Sequence, residues 1–378
     1  MNKMKKKVFV LILFLIFVGS LQSADVKIGD NNELIVNGKP FFLIGGWGPM
    51  RYYAYLKKLG INTIGIGPSE FFAQKFTTAM CLEEAKRLGL YTTCAIEEYD
   101  KVDRKHPTII GWDQVDEPDY LERDQPGYIK NLIKTYNDLH AVDTRPVFVC
   151  FGSLFARGVP PIKNNLYVEY SEKTADVIMT DIYPVGNLNK PDELWVMAKA
   201  MKNLDKVTKG KKPIMIAVEV TKIAADAERA PTAAEVRSEV WMVIVHGAKG
   251  ISYFSSSFNK IRYSPTAIPE DVEAELIKTN KEITDLTDVI LSKDSTEKLE
   301  VIEPEGSTVA TMLKSKGNKL YLFTVNMKKT PAKFKFIFNS NIKGEAEVYG
   351  ENRKVKIMNN AIEDDYKSFE PHIYVVEK

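Results

Sequence analysis

The sequence predicts an α/β protein, a (β/α)8 TIM barrel followed by a small C-terminal antiparallel β domain. Short apolar runs alternate with helical patterns up to about residue 290, and from about residue 299 the apolar period becomes two. Strands that alternate with helices form right-handed βαβ units and a parallel sheet, and eight such units in about 220 residues match a barrel. A doubly wound sheet is the structural alternative, although no GxGxxG motif follows the first strand.

The N-terminus is predicted to be a signal peptide over residues 1–23. Four lysines precede an apolar run at residues 8–18, and small residues follow it at positions 19, 20, 23 and 24. The run is too short for a bilayer-spanning helix, which needs about 20 residues. We therefore expect cleavage between residues 20 and 24, a periplasmic or extracellular location and no stable membrane insertion afterwards. An uncleaved anchor is the alternative.

The barrel is predicted over residues 24–295. Its strands are read from apolar runs at residues 40–45, 61–67, 91–96, 109–115, 146–151, 176–182, 213–220 and 250–254. Helical patterns lie between them at residues 50–59, 73–88, 128–140, 191–206 and 232–246, and another apolar helical face covers residues 269–291. Alternation of the two patterns places the strands inside and the helices outside.

Residues 296–378 are predicted to form a β-sandwich-like domain. Runs with a period of two cover residues 320–325, 334–338, 345–349, 354–357 and 372–376, and turn residues separate them. The sequence shows no internal repeat and no low-complexity linker. The two domains are therefore expected to pack closely.

Composition narrows the possible chemistry. The chain of 378 residues has 52 basic and 50 acidic side chains, which argues against a nucleic-acid binder, because phosphate affinity needs a basic excess on one surface. Its four histidines and three cysteines form no HxH, HExxH or CxxC spacing, so we predict no metal site and no cofactor. The chemistry is expected to depend on carboxylates.

Two glutamates end predicted barrel strands. Glu117 follows the run at residues 109–115 and precedes Pro118, and Glu219 closes the run that starts at residue 213. Barrel enzymes carry their chemistry at the C-terminal strand ends, and alternation places Glu219 on the inward face of its strand. Two carboxyl groups that converge across a barrel mouth can cleave an acetal. The alternative is that each glutamate only pairs with a nearby Arg or Lys.

The segment His-Pro-Thr-Ile-Ile-Gly-Trp at residues 106–112, with Asp-Glu-Pro at 116–118, resembles the strand-4 signature of the clan A glycoside hydrolases. The resemblance implies that Glu117 is the acid/base and Glu219 the nucleophile of a retaining mechanism. It also implies that Tyr183, in the strand-6 segment Asp-Ile-Tyr-Pro, hydrogen-bonds the nucleophile. The clan usually has Asn where this chain has Asp116, and a carboxylate there can accept a hydrogen bond from a sugar hydroxyl but cannot donate one.

Further substrate-binding residues are predicted at other strand ends. Trp47, Tyr183 and Phe254 offer flat apolar faces for sugar rings, and Glu97 could contact substrate hydroxyls. Core packing is the alternative for the aromatic residues. The other tryptophans lie within predicted strands or helices and are expected to pack against the barrel; they are Trp112, Trp195 and Trp241.

The sequence thus predicts a secreted or periplasmic retaining glycoside hydrolase that cleaves β-linked poly- or oligosaccharide. Its partner is therefore a carbohydrate, and the pKa of its acid/base residue is expected to be raised. A catalytically impaired carbohydrate-binding or scaffold barrel is the alternative, because Asp116 departs from the clan pattern. A metal-dependent barrel hydrolase is a third hypothesis, and the lack of clustered His ligands argues against it. The oligomeric state is not predicted.

Overall fold

The computed structural model describes residues 23–67, 76–258, 263–264 and 266–378. Almost all of the predicted signal peptide, residues 1–22, therefore lies outside the described residues. The first residues of the helix predicted at 73–88, residues 73–75, also lie outside them. No helix in the described parts of the chain is long and apolar enough to cross a bilayer.

A small antiparallel sheet precedes the barrel and consists of β1 (Val26–Ile28), β2 (Leu34–Val36) and β3 (Lys39–Phe41). The predicted first strand at residues 40–45 was wrong at its start, because residues 39–41 pair with β2 through a turn in which Asn37 and Gly38 both have positive φ. The apolar residues of this sheet pack with Leu43, Met215 and other side chains near the N-terminal ends of the barrel strands. The sheet therefore covers the end of the barrel opposite the predicted site.

Eight parallel strands form a closed barrel, as predicted, and follow one another around it in chain order. They are β4 (Leu43–Trp47), β5 (Thr63–Ile66), β6 (Tyr91–Ala95), β7 (Ile109–Asp113), β8 (Val147–Phe151), β9 (Val177–Asp181), β10 (Ile214–Glu219) and β11 (Gly250–Phe254). The ring closes where β11 pairs with β4. Strands 1 to 8 of the barrel are thus β4 to β11.

Helices surround the barrel. They are α1 (Tyr53–Lys58), α2 (Thr78–Leu88), α3 (Pro118–Asp124), α4 (Ile129–His140), α5 (Ser153–Arg157), α6 (Asn164–Lys173), α7 (Val196–Thr208), α8 (Ala233–Val245) and α9 (Glu270–Ile290). Single 3-10 turns occur at Met50–Tyr52, Ile96–Glu98 and Pro191–Glu193. The sequence analysis missed α3, α5 and α6, because they are short or lack a clear apolar stripe.

The C-terminal region is built from antiparallel strands, as predicted. The short pair β12 (Ser257–Phe258) and β13 (Tyr263–Ser264) comes first. The later strands are β14 (Leu299–Ile302), β15 (Val309–Lys316), β16 (Lys319–Asn326), β17 (Ala332–Phe338), β18 (Gly344–Val348), β19 (Arg353–Ile357), β20 (Ala361–Tyr366) and β21 (Pro371–Glu377). They form a three-stranded sheet in the order β14-β17-β20 and a five-stranded sheet in the order β15-β16-β21-β18-β19. The sequence analysis missed β14, β15 and β20.

The five-stranded sheet packs against α8 of the barrel. Trp241 of α8 stacks on Phe323 of β16 with ring centroids 5.9 Å apart, and both side chains are buried. The Ser238 hydroxyl donates a hydrogen bond to the Phe369 carbonyl across the same contact. Residues of both parts belong to one continuous apolar core, as the expectation of close packing requires.

Candidate active site

Glu117 lies at the mouth of the barrel, just beyond strand 4. It is partly exposed and adopts a left-handed backbone conformation with φ 46° and ψ 52°, immediately before Pro118 begins α3. Its N–H donates to the Cys150 carbonyl at 3.0 Å, which joins the end of strand 4 to strand 5. A non-glycine residue in this conformation costs of order 1 kcal/mol or more, and such residues concentrate at functional sites.

Buried contacts beneath Glu117 hold this conformation. One oxygen of Asp119 accepts the Gly152 N–H at 3.0 Å, and the other accepts the Tyr167 hydroxyl at 2.7 Å. Gly152 has no room for a side chain, because a Cβ there would lie 2.2 Å from the Tyr120 ring and 2.9 Å from Glu117 Oε1. The start of α3 and the end of strand 5 therefore fix the Glu117 carboxyl together.

The carboxyl groups around Glu117 oppose each other's ionisation. Burial raises the pKa of Glu117 to about 7, and Asp116 and Asp119 contribute to the rise. Burial likewise raises the pKa of Asp113 to about 7, with contributions from Asp116 and Glu97, although a hydrogen bond from Thr93 opposes it. The raised pKa expected for the acid/base is therefore present at Glu117.

Asp181, at the end of strand 6, belongs to the same acidic group. Burial raises its pKa well above the usual range, and Glu117 and Asp116 raise it further, while a hydrogen bond from Tyr183 opposes the shift. Its Oδ1 atom is buried and has no hydrogen-bond partner among the described residues. The resemblance implied that Tyr183 hydrogen-bonds Glu219. In the structure, the Tyr183 hydroxyl hydrogen-bonds Asp181 instead.

Glu219 ends strand 7, as predicted, but its side chain has no exposed surface. Oε1 accepts the Val185 N–H at 2.7 Å, and Oε2 accepts the Gly186 N–H at 2.5 Å. The loop after strand 6 thus encloses the carboxyl group. The charged neighbours that affect Glu219 are Glu239 and Glu235, a different set from those around Glu117. The approach of Glu117 and Glu219 across the mouth stays a prediction.

Glu239 of α8 is buried against Glu219. Burial raises the pKa of Glu239 well above its usual range, and the neighbouring Glu219 carboxyl raises it further. Both Glu239 oxygens are buried, and neither has a hydrogen-bond partner among the described residues. Since two backbone N–H groups stabilise the charged form of Glu219, Glu239 is the member of the pair that holds a proton more strongly.

The predicted aromatic residues lie at the strand ends. Trp47 is partly buried, donates from Nε1 to Ser252 Oγ at 3.1 Å, and covers Gly65, where a Cβ would lie 2.7 Å from its ring. Tyr183 is buried and packs against the partly exposed Phe254 with ring centroids 5.3 Å apart. Each of the three rings packs against a neighbouring residue and therefore also has a structural role.

The predicted polar residues Asp116 and Glu97 are exposed at the rim. The neighbouring Glu98 is buried instead, where it accepts hydrogen bonds from Thr78 and Lys101 at 2.7 and 2.9 Å. Glu97 and Asp116 both act electrostatically on Asp113. Of the predicted residues, the structure therefore groups Asp116, Glu117, Tyr183 and Glu97 around one acidic mouth and encloses Glu219 behind a loop.

Sequence reasoning missed Asp113, Asp181 and Glu239. The first two end strands 4 and 6, so the rule that selected Glu219 would also have selected them. Glu239 is buried and directly precedes the apolar end of its helix, residues 240–245, where a carboxylate needs a partner or a function. Over the ranges that the structure describes, no three His, Cys, Asp or Glu side chains are arranged to hold a metal ion.

No protein-family model matches the chain, and no curated protein matches its sequence. Solved structures do match its fold. Over 89% of this chain and 99% of the other, it is 12% identical to a maltogenic α-amylase, AmyB, from Thermotoga neapolitana, with a TM-score of 0.53. Two isomaltulose synthases give TM-scores of 0.57 and 0.56. The enzyme from Erwinia rhapontici NX5 is 9% identical, covering 89% of this chain and 98% of that one, and the enzyme from Klebsiella sp. LX3 is 8% identical, covering 89% and 99%.

These likenesses establish the fold. Over 89% of its length, the chain has the same overall fold as three enzymes whose names refer to reactions of sugars. At 8 to 12% identity the chemistry must be argued from the residues of the mouth.

Proposed function

We propose that this protein is a retaining glycoside hydrolase that cleaves O-glycosidic bonds, with Glu117 as acid/base and Glu219 as nucleophile. The observation that carries the proposal is the state of Glu117, a partly exposed carboxyl at the end of strand 4 whose pKa is raised to about 7. A general acid must hold its proton at working pH and reach solvent or substrate, and Glu117 meets both requirements. Secretion and β-linked substrates are expectations from the sequence and are part of the proposal.

Glu117 would give its proton to the oxygen of the departing sugar or aglycone. Its side chain is partly exposed, and burial together with the neighbouring Asp116 and Asp119 raises its pKa to about 7. After departure of the leaving group, the resulting carboxylate would take a proton from the attacking water. The same residue thus serves both halves of a double displacement.

Glu219 would attack the anomeric carbon. Burial raises the pKa of Glu219 to about 7, and the N–H groups of Val185 and Gly186 oppose this rise, which favours the anionic form that a nucleophile requires. Because the same loop covers the carboxyl group, the proposal requires residues 183–186 to release one oxygen when substrate enters. Aromatic residues at the mouth, Trp47 and Phe254, would contact the apolar faces of the sugar.

The proposal is tested by hydrolysis of a panel of aryl β-glycosides and, in parallel, aryl α-glycosides. The mature protein is compared with Glu117→Ala, Glu219→Ala and, as a control, Glu305→Ala at an exposed residue of the C-terminal domain. Wild type and the control should turn over at least one substrate, and the other two variants should lose activity. Azide that restores Glu219→Ala with an inverted glycosyl azide would identify Glu219 as the nucleophile.

A second candidate function is a carbohydrate-binding barrel without turnover. The complete burial of Glu219 favours it, since a nucleophile must reach its substrate. The same panel separates the two functions. Wild-type protein that hydrolyses none of the glycosides but binds sugar would support the binding protein and contradict the hydrolase.

A further inference from the structure

A cavity of about 160 Å³ opens beside the mouth of the barrel. Its walls come from the segments that follow strands 5 and 6, namely the end of α5 and the chain from Pro184 into the start of α7. Pro184 directly follows Tyr183, so one wall of the cavity belongs to the same loop that encloses Glu219. It lies outside the group of carboxyls described above.

The charged side chains of this cavity are mainly basic. Lys190 and Glu193 neutralise each other, because Lys190 Nζ lies 2.9 and 3.1 Å from the two Glu193 oxygens. Arg157 and Lys199 remain as an excess of positive charge. Lys199 Nζ donates to the Arg157 carbonyl at 2.6 Å, which fixes it at the wall and leaves two of its three N–H groups for another acceptor.

Arg157 is partly buried, and no carboxylate of the described residues forms an ion pair with it. A guanidinium group offers donors that match a carboxylate or sulfate in a bidentate geometry. The side chain therefore provides the means to bind an anion in this wall of the cavity.

Trp195 supplies an apolar surface in the same cavity. The sequence analysis placed it in a helix and predicted packing against the barrel, but the residue precedes α7 and is 38% exposed, whereas Trp112 and Trp241 are buried. An exposed indole beside cations suits a ring that has an apolar face and an anionic substituent. The volume is below the roughly 300 Å³ of pockets that enclose drug-sized ligands, and therefore suits a single ring.

We propose that this cavity binds one anionic sugar unit, which carries a carboxylate or a sulfate, beside the cleaved bond. This inference rests on the proposed function, which makes the substrate a glycan, and adds that the substrate carries a negative charge. The preferred substrate is then a glycan with an acidic sugar next to the cleaved bond.

Calorimetric titration of the full-length mature protein tests the inference with three probes, methyl β-D-glucuronide, glucose 6-sulfate and methyl β-D-glucoside. At least one anionic probe should bind measurably more tightly than the neutral glucoside, and its affinity should fall as salt rises. The tighter of the two anionic probes identifies carboxylate or sulfate as the natural substituent. Arg157→Gln and Trp195→Ala should each weaken that affinity at least tenfold.

The matched control is Lys206→Gln, which removes an exposed cation from α7 outside the cavity. It should leave the affinity for the anionic probe unchanged. Equal affinity for the neutral glucoside, no binding of either anionic probe, or unchanged affinity in both cavity variants would overturn the inference. Hydrolysis of neutral aryl glycosides by the wild type and by Lys206→Gln, measured in parallel, reports on the proposed catalysis without the anionic substituent, so a failure of the proposed catalysis is distinguished from a failure of this site.

Discussion

Glu117 is the residue in which backbone conformation, accessibility and acidity coincide. Its left-handed conformation is held from both sides, by the Cys150 carbonyl at its N–H and by the Tyr120 N–H at its own carbonyl. Burial and the neighbouring acids keep it protonated to about pH 7. At the residue scale, the proposed chemistry depends on this carboxyl group.

Glu117→Gln should lower kcat/KM for an unactivated aryl glycoside by about 10²- to 10⁴-fold, the range typical of a lost general acid. Wild-type activity should fall as the pH rises above about 7, because the acid form of Glu117 disappears there. The variant should lose this basic limb. Rate profiles from pH 4 to 9 check the prediction, and a variant that kept the wild-type basic limb would contradict the assignment.

Glu239→Gln should stabilise the protein at neutral pH. The folded-state pKa of Glu239 is raised, so between the unfolded value of about 4.3 and the raised value the folded state binds more protons than the unfolded state. The wild-type free energy of unfolding therefore falls as pH rises through this window. An amide has the same shape and does not titrate, so the stability gain over wild type should be small at pH 4 and larger at pH 8.

Urea unfolding at pH 4, 6 and 8 measures this difference, with the exposed Glu97→Gln as control. If the free energies of unfolding of wild type and Glu239→Gln differed by the same amount at every pH, the pKa of Glu239 would not be raised in the folded state.

At the scale of single elements, the junction between strand 5 and α3 determines where Glu117 points. Gly152→Ala should destabilise the protein by about 1 to 3 kcal/mol, since the new Cβ would overlap the Tyr120 ring. It should also lower kcat/KM at least tenfold, because Glu117 Oε1 must move. Gly48→Ala is the control, since the nearest atom to its Cβ would lie 3.7 Å away. Equal effects of the two substitutions would contradict the role of this junction.

The sequence predicted the elements whose patterns are strong. Alternating apolar runs located all eight barrel strands, because each strand is bounded by turn residues and buried on both faces. The N-terminal sheet escaped notice because its strands have only three residues each. The strands β14 and β20 were missed because charged residues, such as Glu300 and Asp364, interrupt their apolar pattern.

The candidate site was only partly predictable, for a related reason. Position at a strand end is visible in sequence, and it selected Glu117 and Glu219 correctly as strand-end residues. The direction of a side chain beyond the strand depends on loops. Glu219 turns to the N–H groups of Val185 and Gly186, contacts that link residues about 34 positions apart and leave no local pattern.

At the scale of the whole molecule, the barrel and the C-terminal sheets share apolar core through Trp241 and Phe323. Phe323→Ala should cost about 3 to 5 kcal/mol, as is typical for a buried phenylalanine, and should lower the melting temperature of the barrel as well. Calorimetry should show one cooperative transition in wild type. Met358→Ala, at a residue 69% exposed in the same domain, is the control. Two separate transitions, of which only one shifts, would contradict the coupling.

The central claim, that Glu117 protonates the leaving group, is tested most directly by the dependence of the rate on the leaving group. Glycosides with aglycones of decreasing pKa need decreasing help from a general acid. We predict that Glu117→Gln hydrolyses a dinitrophenyl glycoside nearly as fast as wild type in the glycosylation step, but a methyl glycoside at least 100 times more slowly. An equal loss of rate for both leaving groups would contradict the claim.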